Sequence, residues 1–496
     1  MLPVHFVPTM GGLHAGHATL MAHARDLAKG SCSVLASVYV NPLQFGPGED
    51  FARYPRDLEA DCCVAAEAGA DAIWCPDDGQ IYPKGVEQVF RVTVPSSLQA
   101  PLCGAGRPGH FNGVATVVSR LLALVRPELL VLGEKDWQQL TILRHLVRDL
   151  GLPVRVSGCP TVREPDGLAC SSRNRYLSAA ERDQASLLPR LLREAQQAVA
   201  AGQPADAARL QAALIEAGLA VEYVDIVDPS SLQPATAEQH CRLLALAVRC
   251  GTTRLIDHAV LMTRSPIVAI DGPAGAGKST VTRAFAERMG LLYLDTGAMY
   301  RAVTWWVLEQ GVDPTDAAAV EPCLEGLELE LDPLADGVQA VRVNGHGVTE
   351  AIRDPRVTAK VSVVAAHACV RQLLTAQQQR MGQRGGLVAE GRDIGTAVFP
   401  DAELKVFLTA TPAERARRRA ADLASRGFEV PDLPTLEAQI VERDQLDSSR
   451  EVAPLVQAVD ATELITDGMT IEAVIDALDD LFRCRVPAEA WPGPVA

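Results

Sequence analysis

The chain has 496 residues, with 46 Lys and Arg against 62 Asp and Glu, and a formal net charge of −16. At about 100–200 residues per domain, this length predicts several domains. The 48% hydrophobic and 22% charged residues exclude global disorder. The acidic balance also argues against nucleic acid or an anionic membrane as partner.

No stretch approaches the roughly 18–20 apolar residues of a membrane span, and the first residues do not resemble a signal peptide. The twelve Cys lack the grouping of a disulfide framework or a zinc site. These features predict a cytoplasmic, multidomain protein.

The first part of the chain alternates strand-like apolar runs with helical patterns, which indicates an α/β fold with parallel sheets. Strands are predicted at Val4–Pro8, Ser33–Val40, Glu128–Leu132 and Val154–Pro160, and helices at Ala18–Lys29 and Gln138–Leu150. Together they predict a doubly wound, Rossmann-like domain over residues 1–175.

A small α+β cap is predicted to follow over residues 176–264. Residues 179–218 are helical in pattern, with a break at 202–204, and strands are predicted at Val221–Val227 and Leu243–Val248. A new strand, Ile267–Asp271, then begins directly after Pro266. We therefore place a domain boundary at about residue 265, with a second domain over 265–496.

The second domain opens with a glycine-rich loop, Gly272–Ser279, that fits G-x-x-x-x-G-K-[ST] at every fixed position. It follows an apolar strand and opens a predicted helix, Thr280–Met289, which is the context that this phosphate-binding motif requires. Lys278 is expected to reach the β- and γ-phosphates of ATP, and Ser279 to hold Mg²⁺ with the nucleotide. The predicted ATP-binding residues here are Gly272, Gly275, Ala276, Gly277, Lys278, Ser279 and Thr280.

Further polar groups follow the predicted strands of this domain. Thr296 and Arg301 suit a second phosphate, and the Gly391-Arg392-Asp393 segment follows the strand-like Leu387–Ala389. An arginine cluster is interpreted as a lid that supplies positive charge to the transition state of phosphoryl transfer, and consists of Arg415, Arg417, Arg418 and Arg419.

Over Pro266–Phe482 the sequence resembles the bacterial cytidylate kinases, including 442–444, Asp447, 450–455 and a small insert at Leu327–Val343. The resemblance implies a P-loop nucleoside monophosphate kinase: a parallel sheet with helices on both faces, a small β insert, and transfer of the γ-phosphoryl of ATP to CMP or dCMP. It implies catalytic roles for Lys278 and Asp393. The implied CMP-binding residues are Thr296, Arg301, Ser362, Arg371, Arg392, Asp393, Arg443, Asp447 and Arg450. A helix-surface role for Ser362, and UMP as substrate, stay open.

Near the start of the chain, His14 and His17 lie in the segment Pro8–His17, between the first strand and the first helix. Two histidines at this spacing fit a partial metal site, surface residues or a phosphate site. A zinc site needs a third ligand, and none stands out. We favour a phosphate site, because two imidazoles beside a helix N-terminus can donate hydrogen bonds to phosphate oxygens as pyrophosphate leaves.

Two further segments support a nucleotide site. Gly133–Asp136 lies at the carboxyl end of a predicted strand, where open α/β sheets bind ligands, and Cys170–Arg173 lies in a polar loop. Lys135 and Arg173 are expected to neutralise a triphosphate from the side opposite the histidines.

These segments resemble the nucleotidyltransferase superfamily and, more narrowly, the pantothenate synthetases (pantoate–β-alanine ligases). The resemblance covers residues 1 to about 262 and is carried by residues 8–17, 41–47, 51–56, 107–111, 133–139, 162–164 and 166–177. It implies two steps: pantoate attacks the α-phosphorus of ATP, and β-alanine then displaces AMP from pantoyl adenylate. It also implies a homodimer formed through this half.

The same resemblance implies catalytic roles for His17, His14, Lys135 and Arg173, and pantoate/β-alanine binding by Gln44 and Gln139. Arg107 and His110 are expected in a mobile flap, or His110 in a turn without substrate contact. The implied ATP-binding residues are Met10, Gly11, Gly12, Leu13, His14, Ala15, Gly16, His17, Gly133, Glu134, Lys135, Asp136, Val162, Cys170, Ser171, Ser172 and Arg173.

Three points stay open at this level. The family usually carries about twenty further residues before the first strand, so either the start lies upstream or a leading helix is absent. Another acid could replace pantoate. A regulatory protein with one catalytically inactive half is the alternative from a different functional class.

Overall fold

The computed structural model describes residues 2–28, 30–335, 338–425, 427, 429–450 and 452–494. Lys29, Glu451 and residues 336–337 belong to predicted elements or motifs but lie outside the described residues. The chain divides into two compact units: a first unit up to Thr263 that also includes Arg483–Pro492, and a second unit of Arg264–Phe482 with the last residues from Gly493.

The sequence places residues 483–492 with the second domain, and the structure places them with the first unit. The physical reason is a pair of backbone hydrogen bonds from this segment to a buried carboxylate of the first unit, Glu134.

The first unit is built on a five-stranded parallel sheet with strand order β3-β2-β1-β4-β5. Its strands are β1 (Val4–Thr9), β2 (Ser33–Val38), β3 (Ala72–Trp74), β4 (Leu129–Gly133) and β5 (Arg155–Cys159). Its helices are α1 (Ala15–Ala28), α2 (Leu58–Glu67), α3 (Asp78–Ile81), α4 (Ser96–Gln99), α5 (Cys103–Gly106), α6 (His110–Val125) and α7 (Trp137–Asp149). Because the strands are parallel, the loops after β1, β4 and β5 meet at one edge of the sheet, where doubly wound folds bind ligands.

The cap of the first unit packs helices against a three-stranded antiparallel sheet, β6-β7-β8. Its elements are α8 (Ala179–Ala185), α9 (Leu187–Ala200), α10 (Ala207–Glu216), β6 (Ala220–Val227), β7 (Cys241–Cys250) and β8 (Thr253–Met262). The sequence did not predict β3 or β8. Strand β3 has three residues, and β8 carries Asp257 and His258 within its apolar run.

The second unit is built on another five-stranded parallel sheet, with strand order β10-β14-β9-β15-β16, and on a small antiparallel sheet, β11-β12-β13. Its strands are β9 (Ile267–Asp271), β10 (Leu292–Asp295), β11 (Leu329–Ala335), β12 (Val338–Val343), β13 (His346–Gly347), β14 (Leu387–Gly391), β15 (Leu404–Thr409) and β16 (Thr462–Ile465). Its helices are α11 (Lys278–Met289), α12 (Thr296–Glu309), α13 (Ala317–Val320), α14 (Pro355–Val364), α15 (Ala368–Gly382), α16 (Pro412–Ser425), α17 (Leu433–Ser448) and α18 (Ile471–Arg485). The predicted α/β class with parallel sheets is confirmed.

Within the described residues, no single helix has the length and apolar character needed to cross a membrane. One pair, α14 and α15, meets the criterion jointly by length and composition, with a bend of 97° between its members.

Candidate functional sites

The first unit contains a cavity at the carboxyl ends of β1, β4 and β5. The predicted site residues that line it are Met10, His14, Gly16, His17, Gln44, Gly133, Lys135, Asp136, Gln139, Val162, Cys170, Ser171, Ser172 and Arg173. Predicted ATP-binding residues of the described chain that do not line it are Gly11, Gly12, Leu13, Ala15 and Glu134. The structure therefore brings most of the predicted set together.

The two histidines at the start of α1 are held by backbone hydrogen bonds. The N–H of Gly16 donates to His14 Nδ1 at 3.1 Å, and the N–H of His14 donates to His17 Nδ1 at 3.3 Å. Burial, reinforced by Lys135, lowers the pKa of His14 to about 4, and burial with His14 lowers the pKa of His17 to about 3. Both rings are therefore neutral at pH 7, and with Nδ1 accepting, each carries its proton on Nε2.

The loop before these histidines is held by Asp61, a residue that the sequence analysis missed. Its buried carboxylate accepts hydrogen bonds from the N–H groups of Gly12 at 3.0 Å and Leu13 at 2.7 Å. Gly11 has φ = +86°, and a Cβ there would lie 2.8 Å from Asp61 Oδ2. Gly11, Gly12 and Leu13 therefore shape the loop around Asp61.

Charged residues of the loops beside this cavity are already partly paired. The Arg173 guanidinium makes a two-pronged ion pair with Asp50, at 2.9 and 3.0 Å. Lys135 and Arg173 outweigh burial and hold the pKa of Asp136 below its usual range. Arg173 thus reaches the cavity as one partner of an ion pair, and Asp50 is a second residue that the sequence analysis missed.

Gln44 is oriented by a chain of hydrogen bonds. The Tyr82 hydroxyl donates to Asn41 Oδ1 at 2.7 Å, and Asn41 Nδ2 donates to Gln44 Oε1 at 3.1 Å. Gln44 Nε2 donates to the sulfur of Met10 at 2.8 Å. Since its oxygen accepts from Asn41 and one amide hydrogen is donated to Met10, Gln44 keeps a second amide N–H for a ligand in the cavity that it lines.

The predicted loop at residues 107–111 is confirmed only in part, since residues 107–109 form a turn and α6 begins at His110. Its role as a mobile flap stays a prediction. His110 is the first residue of α6, and its Nδ1 lies 2.7 Å from the carbonyl oxygen of Gln44. Arg107 Nε donates to Glu49 at 2.8 Å, and its Nη1 lies 3.0 Å from His110 Nε2. Burial and the adjacent Arg107 lower the pKa of His110 to about 4. The segment is anchored by these polar contacts because its buried groups need partners.

The second unit contains a cavity beside the glycine-rich loop. The predicted residues that line it are Gly275, Ala276, Gly277, Lys278, Ser279, Thr280, Thr296, Arg301, Ser362, Arg371, Arg392, Asp393, Arg443, Asp447 and Arg450. Gly272 lies outside this lining. The whole predicted CMP-binding set therefore faces one cavity with the phosphate loop, although it comes from segments up to 154 positions apart in the sequence.

The side chains at the start of α11 are directed toward buried partners. Lys278 Nζ donates to the carbonyl oxygens of Gly272 and Pro273 at 2.7 and 2.9 Å, and burial lowers its pKa. Ser279 Oγ donates to Glu390 Oε1 at 2.6 Å, and burial raises the pKa of Glu390. Glu390 was not predicted from the sequence, although its place at the carboxyl end of β14, directly before Gly391, was an available signal.

Asp271 links the glycine-rich loop to the segment after β14. Its carboxylate accepts from the N–H groups of Ile394 at 2.8 Å and Gly395 at 2.7 Å. Burial raises the pKa of Asp271 to about 6, against the effect of these two hydrogen bonds. This carboxylate fixes the segment that carries Asp393.

The predicted CMP-binding arginines are arranged in ion pairs. Arg371 pairs with Asp393 in a buried contact, and its guanidinium lies 5.5 Å from the ring centre of Tyr300. Asp447, also buried, accepts from Arg392 at 3.0 Å and from Arg450. The site thus combines several cations with two buried carboxylates, an arrangement suited to a phosphate and a polar base edge together.

The arginine cluster does not act as one lid. Arg415 is buried: it pairs with Asp444, and its Nη1 donates to the carbonyl oxygen of Ala274 at 3.1 Å. Arg417 is 65% exposed and pairs with Glu414. Arg418 and Arg419 line the cavity. The lid interpretation is therefore wrong for Arg415 and Arg417, since helix α16 turns one arginine beneath the phosphate loop and another toward solvent.

Among the described residues, no cluster of three or more His, Cys, Asp and Glu side chains has a geometry that could hold a metal ion. One unit joins paired imidazoles to a doubly wound sheet, and the other joins a phosphate loop to arginine–carboxylate pairs. The fold and sites thus define an enzyme with two nucleotide-using domains.

Comparison with known proteins gives both domains their families. Residues 2–260 match the family model of pantoate–β-alanine ligase, and residues 268–483 match that of cytidylate kinase. The bifunctional pantoate ligase/cytidylate kinase of Synechococcus sp. (strain CC9311) is 69% identical over 99% of this chain and 100% of its own length. The protein of the same name from Prochlorococcus marinus (strain MIT 9313) is 68% identical over 99% of this chain and 97% of its own.

A solved pantothenate synthetase, from Thermus thermophilus, is 47% identical, covering 52% of this chain and 92% of its own, with a TM-score of 0.48. The chain belongs to the bifunctional pantoate ligase/cytidylate kinase family.

Proposed function

We propose that the first unit joins pantoate to β-alanine through pantoyl adenylate. A carboxylate oxygen of pantoate attacks the α-phosphorus of ATP, and pyrophosphate leaves. The amine of β-alanine then attacks the acyl carbon, an amide bond forms, and AMP leaves with the electron pair of the broken acyl–oxygen bond. The substrates are held by the cavity that His14, His17, Lys135 and Gln44 line.

The arrangement of the two imidazoles is the observation that carries this proposal. Their backbone hydrogen bonds leave Nε2–H of His14 and His17 as neutral donors, in a cavity where Lys135 supplies positive charge. A neutral donor can stabilise the charge that develops on phosphate oxygens without first breaking an ion pair, as a charged donor would have to do. In the free site the neutral ring of His17 is a hydrogen-bond donor. Negative charge on bound ATP raises the pKa of a neighbouring imidazole, so that His17 can take up a proton, and it is then the proposed proton donor to the departing pyrophosphate.

The amides of Gln44 and Gln139 suit the acid substrate. Gln44 offers one amide N–H, beside the one donated to Met10, from a position fixed by Asn41. An amide donor can orient the hydroxyls and carboxylate of pantoate, whereas a lysine placed on that carboxylate would weaken it as a nucleophile.

Pantoate-dependent exchange of labelled pyrophosphate into ATP, measured without β-alanine, tests this chemistry. A reversible adenylation step predicts exchange that needs pantoate alone. Exchange that requires β-alanine, or that ignores pantoate, would refute the adenylate and favour direct condensation or another acid.

For the second unit we propose transfer of the γ-phosphoryl of ATP to CMP and dCMP. The carrying observation is that the predicted CMP-binding set and the phosphate loop line one cavity. Buried Asp447 can accept from the cytosine amino group, which uracil lacks, and its pairing with Arg392 fixes its position. Arg371 in turn fixes Asp393, the proposed catalytic carboxylate beside the acceptor phosphate.

The oxygen donors at the start of α11 fit Mg²⁺ bound with ATP. Ser279 Oγ lies 2.6 Å from Glu390 Oε1, and Glu390 Oε2 is buried without a hydrogen-bond partner among the residues that the structure describes. Hard oxygen ligands of this kind suit Mg²⁺, which supplies charge neutralisation at the β- and γ-phosphates when bound. We propose Ser279 as the protein ligand and Glu390 as the carboxylate that orients it.

Comparing kcat/KM for CMP, dCMP and UMP tests the substrate class. The proposal predicts that kcat/KM for CMP and dCMP exceeds that for UMP by about 5- to 150-fold, because a buried acceptor left unpaired costs roughly 1–3 kcal/mol. Equal values for CMP and UMP would remove Asp447 from base recognition. The cytoplasmic location and the dimer through the first unit stay predictions.

A further inference from the structure

The segment Arg483–Pro492 belongs to the first unit, although it begins where the cytidylate kinase match ends, at residue 483. It forms a turn in which the N–H groups of Ala490 and Trp491 donate to the carbonyl oxygen of Pro487, at 3.0 and 3.1 Å. Val486 is fully buried, and Ala490 packs against the main apolar core of the first unit. The segment is thus an ordered part of the ligase structure.

The turn binds the carboxylate of Glu134 with two backbone hydrogen bonds. The N–H of Ala488 donates to Glu134 Oε1 at 2.8 Å, and the N–H of Glu489 donates to Oε2 at 3.0 Å. Glu134 is fully buried, so these bonds satisfy a charge that would otherwise be costly to bury. Lys135, the next residue, lines the ligase cavity.

Glu489 of the same turn faces two further segments of the cavity wall. Its Oε1 lies 3.7 Å from Arg163 Nη2, and its Oε2 lies 3.6 Å from Nε2 of buried His258. Arg163 also pairs with Asp257 through two contacts of 2.8 and 3.1 Å. Val162, directly before Arg163, and His258 both line the cavity.

We propose that residues 487–490, here called the C-terminal turn, are a positioning element of the pantoate ligase. The turn holds the loops that carry Lys135 and Val162 and the strand β8 that carries His258, and so fixes the ATP side of the cavity. This inference rests on the proposed ligase function. The hydrogen bonds of Gln44, on the pantoate side, do not involve the turn.

Disrupting the turn is therefore expected to weaken the binding of ATP and not the binding of pantoate. Loss of hydrogen bonds to a buried charge predicts a rise of about tenfold in the ligase KM for ATP, with the KM for pantoate changed less than twofold. The kinase reaction of the same sample provides a measure of intact protein.

Three full-length variants test the proposal. Ala488→Pro removes one N–H donor to Glu134, and Glu489→Gln removes the charge facing Arg163 and His258. Glu194→Gln is the matched control, because Glu194 pairs with Arg190 at 3.8 Å on the surface.

The proposal predicts a raised KM for ATP in Ala488→Pro and Glu489→Gln, and a wild-type KM for ATP in Glu194→Gln. An unchanged KM for ATP in all of them overturns it. An equal rise in the KM for ATP and the KM for pantoate, together with a smaller folded fraction, also overturns it, since that pattern marks a structural role alone. Absence of pantothenate synthesis in the wild-type chain would refute the proposed function instead.

Discussion

Replacing Gly113 by alanine is predicted to impair the ligase by displacing Gln44. Gly113 lies in α6, against the segment that carries Gln44. A Cβ at this position would lie 2.2 Å from the Leu43 carbonyl oxygen and 2.8 Å from the backbone nitrogen of Gln44, where ordinary contact begins at 3.4 Å. Because both neighbours are backbone atoms, the segment must move by about 1 Å.

The expected magnitudes separate activity from stability. Alanine gains about 1 kcal/mol over glycine in a helix, and overpacking costs about 1–3 kcal/mol, so the free energy of unfolding falls by ~2 kcal/mol at most. A misplacement of about 1 Å in a substrate-positioning group costs on the order of 100-fold in rate. Gly113→Ala should therefore stay folded while its kcat/KM for pantoate falls about 100-fold.

The assay measures pantothenate formation against pantoate concentration, with CMP phosphorylation by the same sample as reference. Gly106→Ala is the matched control, because its Cβ would meet its nearest atom, Glu222 Oε2, at 3.8 Å. A folded Gly113→Ala protein with kcat/KM for pantoate within threefold of wild type would refute the argument that this contact positions Gln44.

Three further predictions concern positioning, metal and pH. Tyr82→Phe removes the hydroxyl that donates to Asn41, so the KM for pantoate should rise about fivefold for a loss of ~1 kcal/mol. Tyr39→Phe, which removes a hydroxyl that donates to Asp78, should leave the KM for pantoate unchanged. Equal effects of the two substitutions would contradict the chain of hydrogen bonds. Glu390→Gln should raise the Mg²⁺ concentration needed for half-maximal kinase activity and leave the ligase activity unchanged. An unaltered Mg²⁺ titration would count against the role of Glu390 in orienting Ser279. The pKa of His17, about 3, lies below its ordinary 6.5, so between these values the unfolded state binds more protons and the free energy of unfolding falls as the pH falls. Urea unfolding of wild type and His17→Asn from pH 7 to 4 measures how the free energy of unfolding changes with pH. The slope should be smaller in the variant, by up to about 1.4 kcal/mol per pH unit, which corresponds to one proton. Identical slopes would oppose a buried neutral imidazole.

The predictions from the sequence were most accurate where the functional residues and their secondary structure lie within one short segment. Strand β9 begins and ends at the predicted residues, because an apolar run, a glycine-rich loop and a helix start follow one another without a break. The two histidines at the start of α1 were found for the same reason, since their motif lies within ten consecutive residues.

Long-range partners escaped prediction because nothing in a local pattern marks them. Asp61 is an ordinary acidic residue of α2, and its role appears only when the loop of Gly12 lies against it. In the arginine cluster of α16, spacing cannot tell which side chain lies beneath the phosphate loop, and burial selects Arg415. The turn that holds Glu134 is separated from it by more than 350 positions.

The central claim is that one chain carries two catalytic sites, each in its own unit. Product analysis of wild type, His17→Asn and Lys278→Met, with ATP and Mg²⁺ and either pantoate plus β-alanine or CMP, tests it most directly. The wild-type chain should form pantothenate with AMP and CDP with ADP, His17→Asn should lose the first pair of products alone, and Lys278→Met the second pair alone. A wild-type chain that forms neither pair, or a single variant that abolishes both, would contradict the claim.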